Sequence, residues 1–446
     1  MTQTQVNLSA GVATIVDISD PSNDEITLLE SLGIVTVSDP NKTLLAAGSA
    51  TQNGSDVEIS TAGLTSFSID LAGGRNILTA TSVTEDLTIT GGSGYSTIKS
   101  GSGADVINGG SGKNKIEGGA GADNLDGEGG RDTVEYTNSD AAVTVDLSTS
   151  TASGGHAQGD TIANFENVSG SVFNDALTGD NGNNIIRGRA GSDTIVGGDG
   201  NDRLFVDEGD DDIQGGAGND FIRGGAGADT IDGGADIDTV HYINSNTRVK
   251  VYLNKGTGSL GHAAGDTFVG VENVEGSDFD DLLSGDGARN ILKGHEGDDT
   301  ILGQGGGDVL IGGLGNDTIT GGRGADTLTG GAGNDTFVTT NFRDSRLGEI
   351  DRIEDFEIGQ DQIQGLNAIT STDIDQLGSI SGLKETSIQN LLTEIVFEAQ
   401  TGATFMVASR TFLALNDNTA GFQASKDVII DITGYTGSLS SLSVIA

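Results

Sequence analysis

Aspartate recurs at nine-residue spacing, in fourteen of eighteen places, through three uninterrupted runs of repeating sequence at 91–135, 179–241 and 285–338. Eighteen nine-residue blocks keep the phase of G-G-x-G-x-D-x-U-x, where U is a large apolar residue. The blocks 118–126 (GGAGADNLD), 224–232 (GGAGADTID) and 312–320 (GGLGNDTIT) show it in full. Glycines at positions one, two and four allow positive φ and turn their carbonyls inward, where a Cβ would obstruct. The carboxylate at position six joins that ring of oxygens. A hard cation takes six to eight oxygens at about 2.3–2.6 Å, so the ring suits Ca²⁺ better than zinc.

A loop of this kind must be held by something regular. Position eight is apolar in all eighteen blocks, from Ile98, Ile107, Ile116, Leu125 and Val134 to Ile319, Leu328 and Phe337. Positions seven to nine therefore read as a short strand whose middle side chain points inward while its neighbours point out. One large apolar residue per block is the whole core. Glycine and net charge also mark disordered chains, but disorder does not explain a phased apolar position. Without the ion the balance reverses, because glycine ordering costs entropy and stacked carboxylates repel. Metal binding is then expected to supply much of the folding free energy.

The nonapeptide resembles the RTX calcium-binding repeat. That resemblance implies an all-β, right-handed parallel β-roll in which each block is half a turn and each ion lies between a loop and the loop two blocks later. The sixth-position ligands it implies are Asp105, Asp123, Asp132, Asp193, Asp202, Asp211, Asp220, Asp229, Asp238, Asp299, Asp308, Asp317, Asp326 and Asp335. Ser96, Asn114, Asn184 and Asn290 stand in that place in four blocks, where sites are expected to be weaker or empty. If the segments between the runs break the stacking, about twelve Ca²⁺ ions are the upper expectation.

The net charge of −44, from 66 acidic and 22 basic residues, opposes binding to nucleic acid or to anionic membranes. About twelve divalent ions would neutralise roughly half of it. The chain has no cysteine, so neither disulfides nor thiolate metal sites can staple it. The start, MTQTQVNLSAGVATIVDISD, lacks the basic and continuously apolar regions of a cleaved signal peptide, and no stretch has the length of a transmembrane helix. The RTX resemblance implies export through a one-step (type I) ABC secretion machinery, guided by an uncleaved C-terminal signal. The expected location is therefore extracellular or on the cell surface.

A second repeat overlies the first. Segments 136–178 and 242–284 align without gaps, so that Tyr136, His156, Asp160 and Phe173 recur as Tyr242, His262, Asp266 and Phe279. They read as inserts that extend the roll with wider loops, similar to those of RTX modules in secreted proteases and alginate epimerases. His156 with Asp160, and His262 with Asp266, offer two ligands each, too few for a transition-metal site, and read as loop histidines. Residues 1–90 read as a β-rich lead-in with strands near 35–37, 57–59, 67–71 and 87–89, and 91–338 as the roll. Residues 339–446 read as a capping and secretion domain, with a closing element at 349–363, a short helix at 386–394, and strands at 404–415 and 428–433. The final fifty or so residues resemble the bluetail domain of cyanobacterial surface proteins.

An enzyme finds little support. His295-Glu296-Gly297-Asp298-Asp299 lacks the second histidine of H-E-x-x-H, and neither a G-x-S-x-G elbow nor a Walker A loop occurs. Pore-forming toxins of the family carry long apolar regions ahead of the repeats, which this chain does not. The expectation is a non-enzymatic calcium-binding structural protein, with cell-surface polysaccharide or another copy of itself as partner. The alternative is an accessory module of a secreted polysaccharide- or protein-degrading enzyme, or an adhesin or matrix protein.

Overall fold

The computed structural model describes residues 75–339 without a break, most of 341–365 and 401–445, a few positions between 368 and 388, and strands between 3 and 71. The chain divides into two compact units, Met1–Phe221 and Ile222–Ala446.

In the first unit successive blocks feed two ladders of parallel strands in turn. Leu78, Ile98, Ile116, Val134, Val168, Ile186 and Leu204 stand in register in one ladder. Ile69, Ile89, Ile107, Leu125 and Ile162 stand in register in the other. The inward-pointing middle residue of each strand is thus stacked on its equivalent one coil away, and none of these is more than 4 % exposed. Eighteen residues make one coil, so each nonapeptide is half a turn of a parallel β-roll. Ser66–Asp70 already pairs with Leu87–Thr90, so the ladder begins upstream of residue 91.

The inserts extend the roll, as their sequence suggested, and do not break the stack. On one ladder Thr133–Glu135 pairs directly with Asn167–Ser169. On the other, Asn124–Asp126 pairs with Thr161–Ala163, which runs antiparallel to Thr151–Ser153, which runs antiparallel to Thr144–Asp146, which pairs with Ala176–Thr178. A three-stranded meander therefore stands where a plain repeat has a single strand, and hydrogen bonding continues through it. The buried rings of Tyr136 and Phe165 help fill the added width.

The second unit repeats this plan. Lys250–Tyr252, Thr257–Ser259 and Thr267–Val269 form the corresponding meander. Val240, Val274, Leu292, Leu310, Leu328 and Ile353 stack on one side, and Val251, Leu283, Ile301, Ile319, Phe337 and Ile363 on the other. The segment 349–363 thus adds a rung to each ladder through Asp351–Ile353 and Gln362–Gln364. Beyond it, Gly402–Val407 and Arg410–Leu415 form a hairpin where one strand was expected over 404–415, with Ala408 at φ 54° in the turn. Val428–Asp431 pairs with both the hairpin and the roll. Phe405 and Phe412 stack at 5.5 Å within a core that includes Ile388, Phe422 and Ile429. The helix expected at 386–394 lies outside the described residues apart from Ile388.

Candidate metal centre

Each block brings its aspartate against the loop two blocks before it, because the strand of positions seven to nine is anchored by its buried apolar residue. The Asp123 carboxylate accepts the backbone N–H of Asp105 through Oδ1 at 2.8 Å, and Asp105 in turn accepts the N–H of Leu87 at 2.8 Å. The same bond joins Asp132 to Asn114, Asp193 to Asp175, Asp202 to Asn184, Asp211 to Asp193 and Asp220 to Asp202. In the second unit it joins Asp299 to Asp281, Asp308 to Asn290, Asp317 to Asp299, Asp326 to Asp308 and Asp335 to Asp317. Asp229 and Asp238 are buried in the same sequence position.

One oxygen of each carboxylate is thereby committed to backbone. The other is buried and has no hydrogen-bond partner in Asp105, Asp123, Asp132, Asp193, Asp202, Asp299, Asp308, Asp317, Asp326 and Asp335. It points at the first glycine of its own loop: a Cβ on Gly118 would lie 2.3 Å from Asp123 Oδ2, and one on Gly312 would lie 2.1 Å from Asp317 Oδ2. The second glycine is required for a different reason. Gly119 sits at φ +85°, and a Cβ there would lie 2.0 Å from the Gly101 carbonyl oxygen of the coil below.

A buried carboxylate with an unsatisfied oxygen is costly unless protonated or matched by a cation. Burial, reinforced by neighbouring carboxylates, pushes Asp123 and Asp299 up to about 8. It pushes Asp193, Asp202, Asp308 and Asp317 up to about 7, and Asp132 and Asp211 to about 6, although each backbone N–H bond pulls the other way. Carboxylate and carbonyl oxygens converging on one buried place fit a Ca²⁺ ion, whose charge would supply the missing partner.

The substituted blocks satisfy themselves instead. Ser96 Oγ donates to the Gly91 carbonyl at 2.9 Å, and Asn114 Nδ2 donates to the Gly112 carbonyl at 3.0 Å. Asn184 Nδ2 donates to the Glu166 carbonyl at 2.8 Å, and Asn290 Nδ2 to the Glu272 carbonyl at 2.7 Å. An amide placed there turns a hydrogen toward a carbonyl.

The column also includes acids outside the eighteen blocks. Asp160 and Glu166 accept the N–H groups of Asp123 and Asp132, and Asp266 and Glu272 those of Asp229 and Asp238. Asp175 and Asp281 accept from Val143 and Val249, and Asp351 and Asp361 from Asp326 and Asp335. Several of these have their second oxygen occupied. The Tyr136 hydroxyl donates to Asp160 Oδ2 at 3.0 Å and Tyr242 to Asp266 Oδ2 at 2.6 Å, so tyrosine rather than His156 or His262 is the partner there. The backbone N–H groups of Ser171 and Ser277 likewise donate to Asp175 Oδ2 and Asp281 Oδ2. The G-x₄-D-x-U spacing of Gly155, Asp160 and Ile162, of Gly170, Asp175 and Leu177, of Gly261, Asp266 and Phe268, and of Gly276, Asp281 and Leu283 was the signal available for four of these.

A family model of the RTX calcium-binding nonapeptide repeat (4 copies) matches residues 88–116, 99–134, 169–204, 205–240, 275–310 and 302–337. The chain thus carries RTX repeats folded as a parallel β-roll, and such repeats bind calcium. No curated protein matches the chain.

Proposed function

We propose that this is a secreted or surface-associated structural protein that crosses its export machinery unfolded and folds when external Ca²⁺ enters the loops. The observation that carries the reading is the row of buried Asp Oδ2 atoms without hydrogen-bond partners, one above another. Calcium ions along the fourteen position-six aspartates would neutralise them. Extracellular calcium modules bind at about 10⁻⁴–10⁻³ M, so sites of that strength stay empty inside a cell and fill outside. RTX proteins are usually secreted or surface-associated, and no helix among the described residues is long and apolar enough to cross a membrane. The resemblance of the C-terminal residues to the bluetail domain supports a surface location, with type I export as the route.

The reading is non-enzymatic, because the recurring acids are engaged with backbone N–H groups. Far-ultraviolet circular dichroism during a calcium titration, with magnesium as control, tests the mechanism. β-structure should appear with calcium and not with magnesium; a protein equally ordered in excess chelator refutes it. Zymography on alginate, casein and lipid substrates tests the absence of catalysis, and fractionation of the producing cells tests the location.

A further inference from the structure

We infer that His241, Glu275 and His295 form a site for a divalent transition ion of the zinc class, separate from the calcium loops. The three are far apart in sequence and meet through strand register. His241 and Glu275 are paired residues of the adjacent strands Thr239–His241 and Asn273–Glu275. Glu275 is paired in turn with Lys293 of Ile291–Glu296, and His295 follows two residues later on the same strand, facing the same way.

The separations suit a metal. His241 Nε2 lies 3.3 Å and His295 Nε2 3.6 Å from the same oxygen, Glu275 Oε2, and one ligand atom from each residue lies within 4.8 Å of the others. With metal–ligand distances of about 2.0–2.1 Å, two ligands of a tetrahedral zinc ion stand about 3.3–3.4 Å apart. Two of the three edges are therefore already near that length. The side chains are 15 %, 20 % and 31 % exposed for His241, Glu275 and His295, so the site is sheltered and still reachable. Lys293 Nζ holds the other carboxylate oxygen, Oε1, at 2.6 Å and leaves Oε2 facing the two imidazoles. Two imidazoles and one carboxylate with a further position open are a ligand set that zinc accepts and calcium does not favour.

The duplicated first half gives an internal comparison. The same three positions there are Glu135, Ser169 and Arg189. Arg189 and His295 share a φ of 84°, so the backbone is alike. In the first copy Arg189 Nε donates to Ser169 Oγ at 3.1 Å, and Glu135 pairs with Lys115 at 3.0 Å. The second copy carries a metal-ligating side chain at all three positions of that scaffold, where the first carries one, Glu135. An ion there would tie together three consecutive strands of one ladder, beside the meander where plain repeats are interrupted.

The test uses the full chain saturated with calcium, so that oxygen sites are filled, and titrated with Co²⁺ and then Zn²⁺. One equivalent of Co²⁺ should give the visible bands of a low-coordinate nitrogen and oxygen site, and Zn²⁺ should abolish them. His241→Ala and His295→Ala should each weaken binding by about 100-fold or more, since even supporting residues around a metal cost 10–100-fold. His156→Ala and His262→Ala should leave it unchanged. X-ray absorption of the zinc-loaded wild-type protein should show two imidazoles, a readout that does not depend on any variant folding. Absence of Co²⁺ bands, absence of imidazole scattering, or equal binding by the His241→Ala/His295→Ala double variant overturns the assignment.

Discussion

Acid should partly replace calcium. In chelator the buried aspartates held near 7 or 8 take up protons in the fold at a pH where the unfolded chain, with aspartate at its ordinary 3.8, does not. Because the folded value is raised, the stabilisation is complete below 3.8 and is lost as pH rises through 7 to 8. For a group at about 7, going from pH 7 to pH 5 spans two units at about 1.4 kcal/mol each, which sets an upper limit of roughly 3 kcal/mol per carboxylate. Water at the loop edges and the falling charge of neighbours reduce this to about 1 kcal/mol each. Asp123, Asp193 and Asp202 in the first unit, and Asp299, Asp308 and Asp317 in the second, then contribute about 3 kcal/mol to each. That is a large part of a domain stability of about 5–15 kcal/mol. Circular dichroism in chelator should show β-structure growing from pH 8 to pH 5, with sedimentation velocity to confirm a monomer. In calcium the sign reverses, since protons compete for the same oxygens and the calcium midpoint should rise on acidification. Order in chelator that is indifferent to pH between 8 and 5 refutes the account of the buried carboxylates.

Other substitutions separate ligand, loop and core. Asn290→Asp replaces an amide that donates to the Glu272 carbonyl with a second carboxylate below Asp308, and should lower the calcium midpoint while destabilising the chelated protein. Gly312→Ala places a methyl 2.1 Å from Asp317 Oδ2 and 2.5 Å from the Gly330 carbonyl, and isothermal calorimetry should show at least one ion fewer. Leu310→Ala removes a fully buried side chain stacked between Leu292 and Leu328, and should cost about 2–5 kcal/mol in urea unfolding at saturating calcium with the ion count unchanged.

Periodicity made the roll legible in the sequence, because position eight and position six each have one physical task in every block. The half-turn per nonapeptide follows from that phase. Glu166 and Glu272 were not legible, since each is a glutamate whose segment lacks the first two loop glycines, and Asp160 and Asp266 keep the G-x₄-D-x-U spacing with Gly155 and Gly261 but stand outside the nine-residue phase. Their place depends on how a three-stranded meander fits one ladder while the other ladder takes a single step, a geometry no local pattern encodes. His241, Glu275 and His295 escaped for the same reason. Read singly, each is an outward residue near a loop, and only the register across the insert brings their nitrogen and oxygen atoms together.

The grip of each aspartate on the coil before it gives the solenoid unequal ends. A coil's amide is completed only by a carboxylate further along the chain, and for Asp326 and Asp335 that acceptor comes from Asp351 and Asp361, outside the nonapeptides. Trimming the roll from its amino end strands no donor of this type. Cutting just after residue 338 leaves two buried amides with nothing to hold, so shortened forms should tolerate loss at the front far better than at the back.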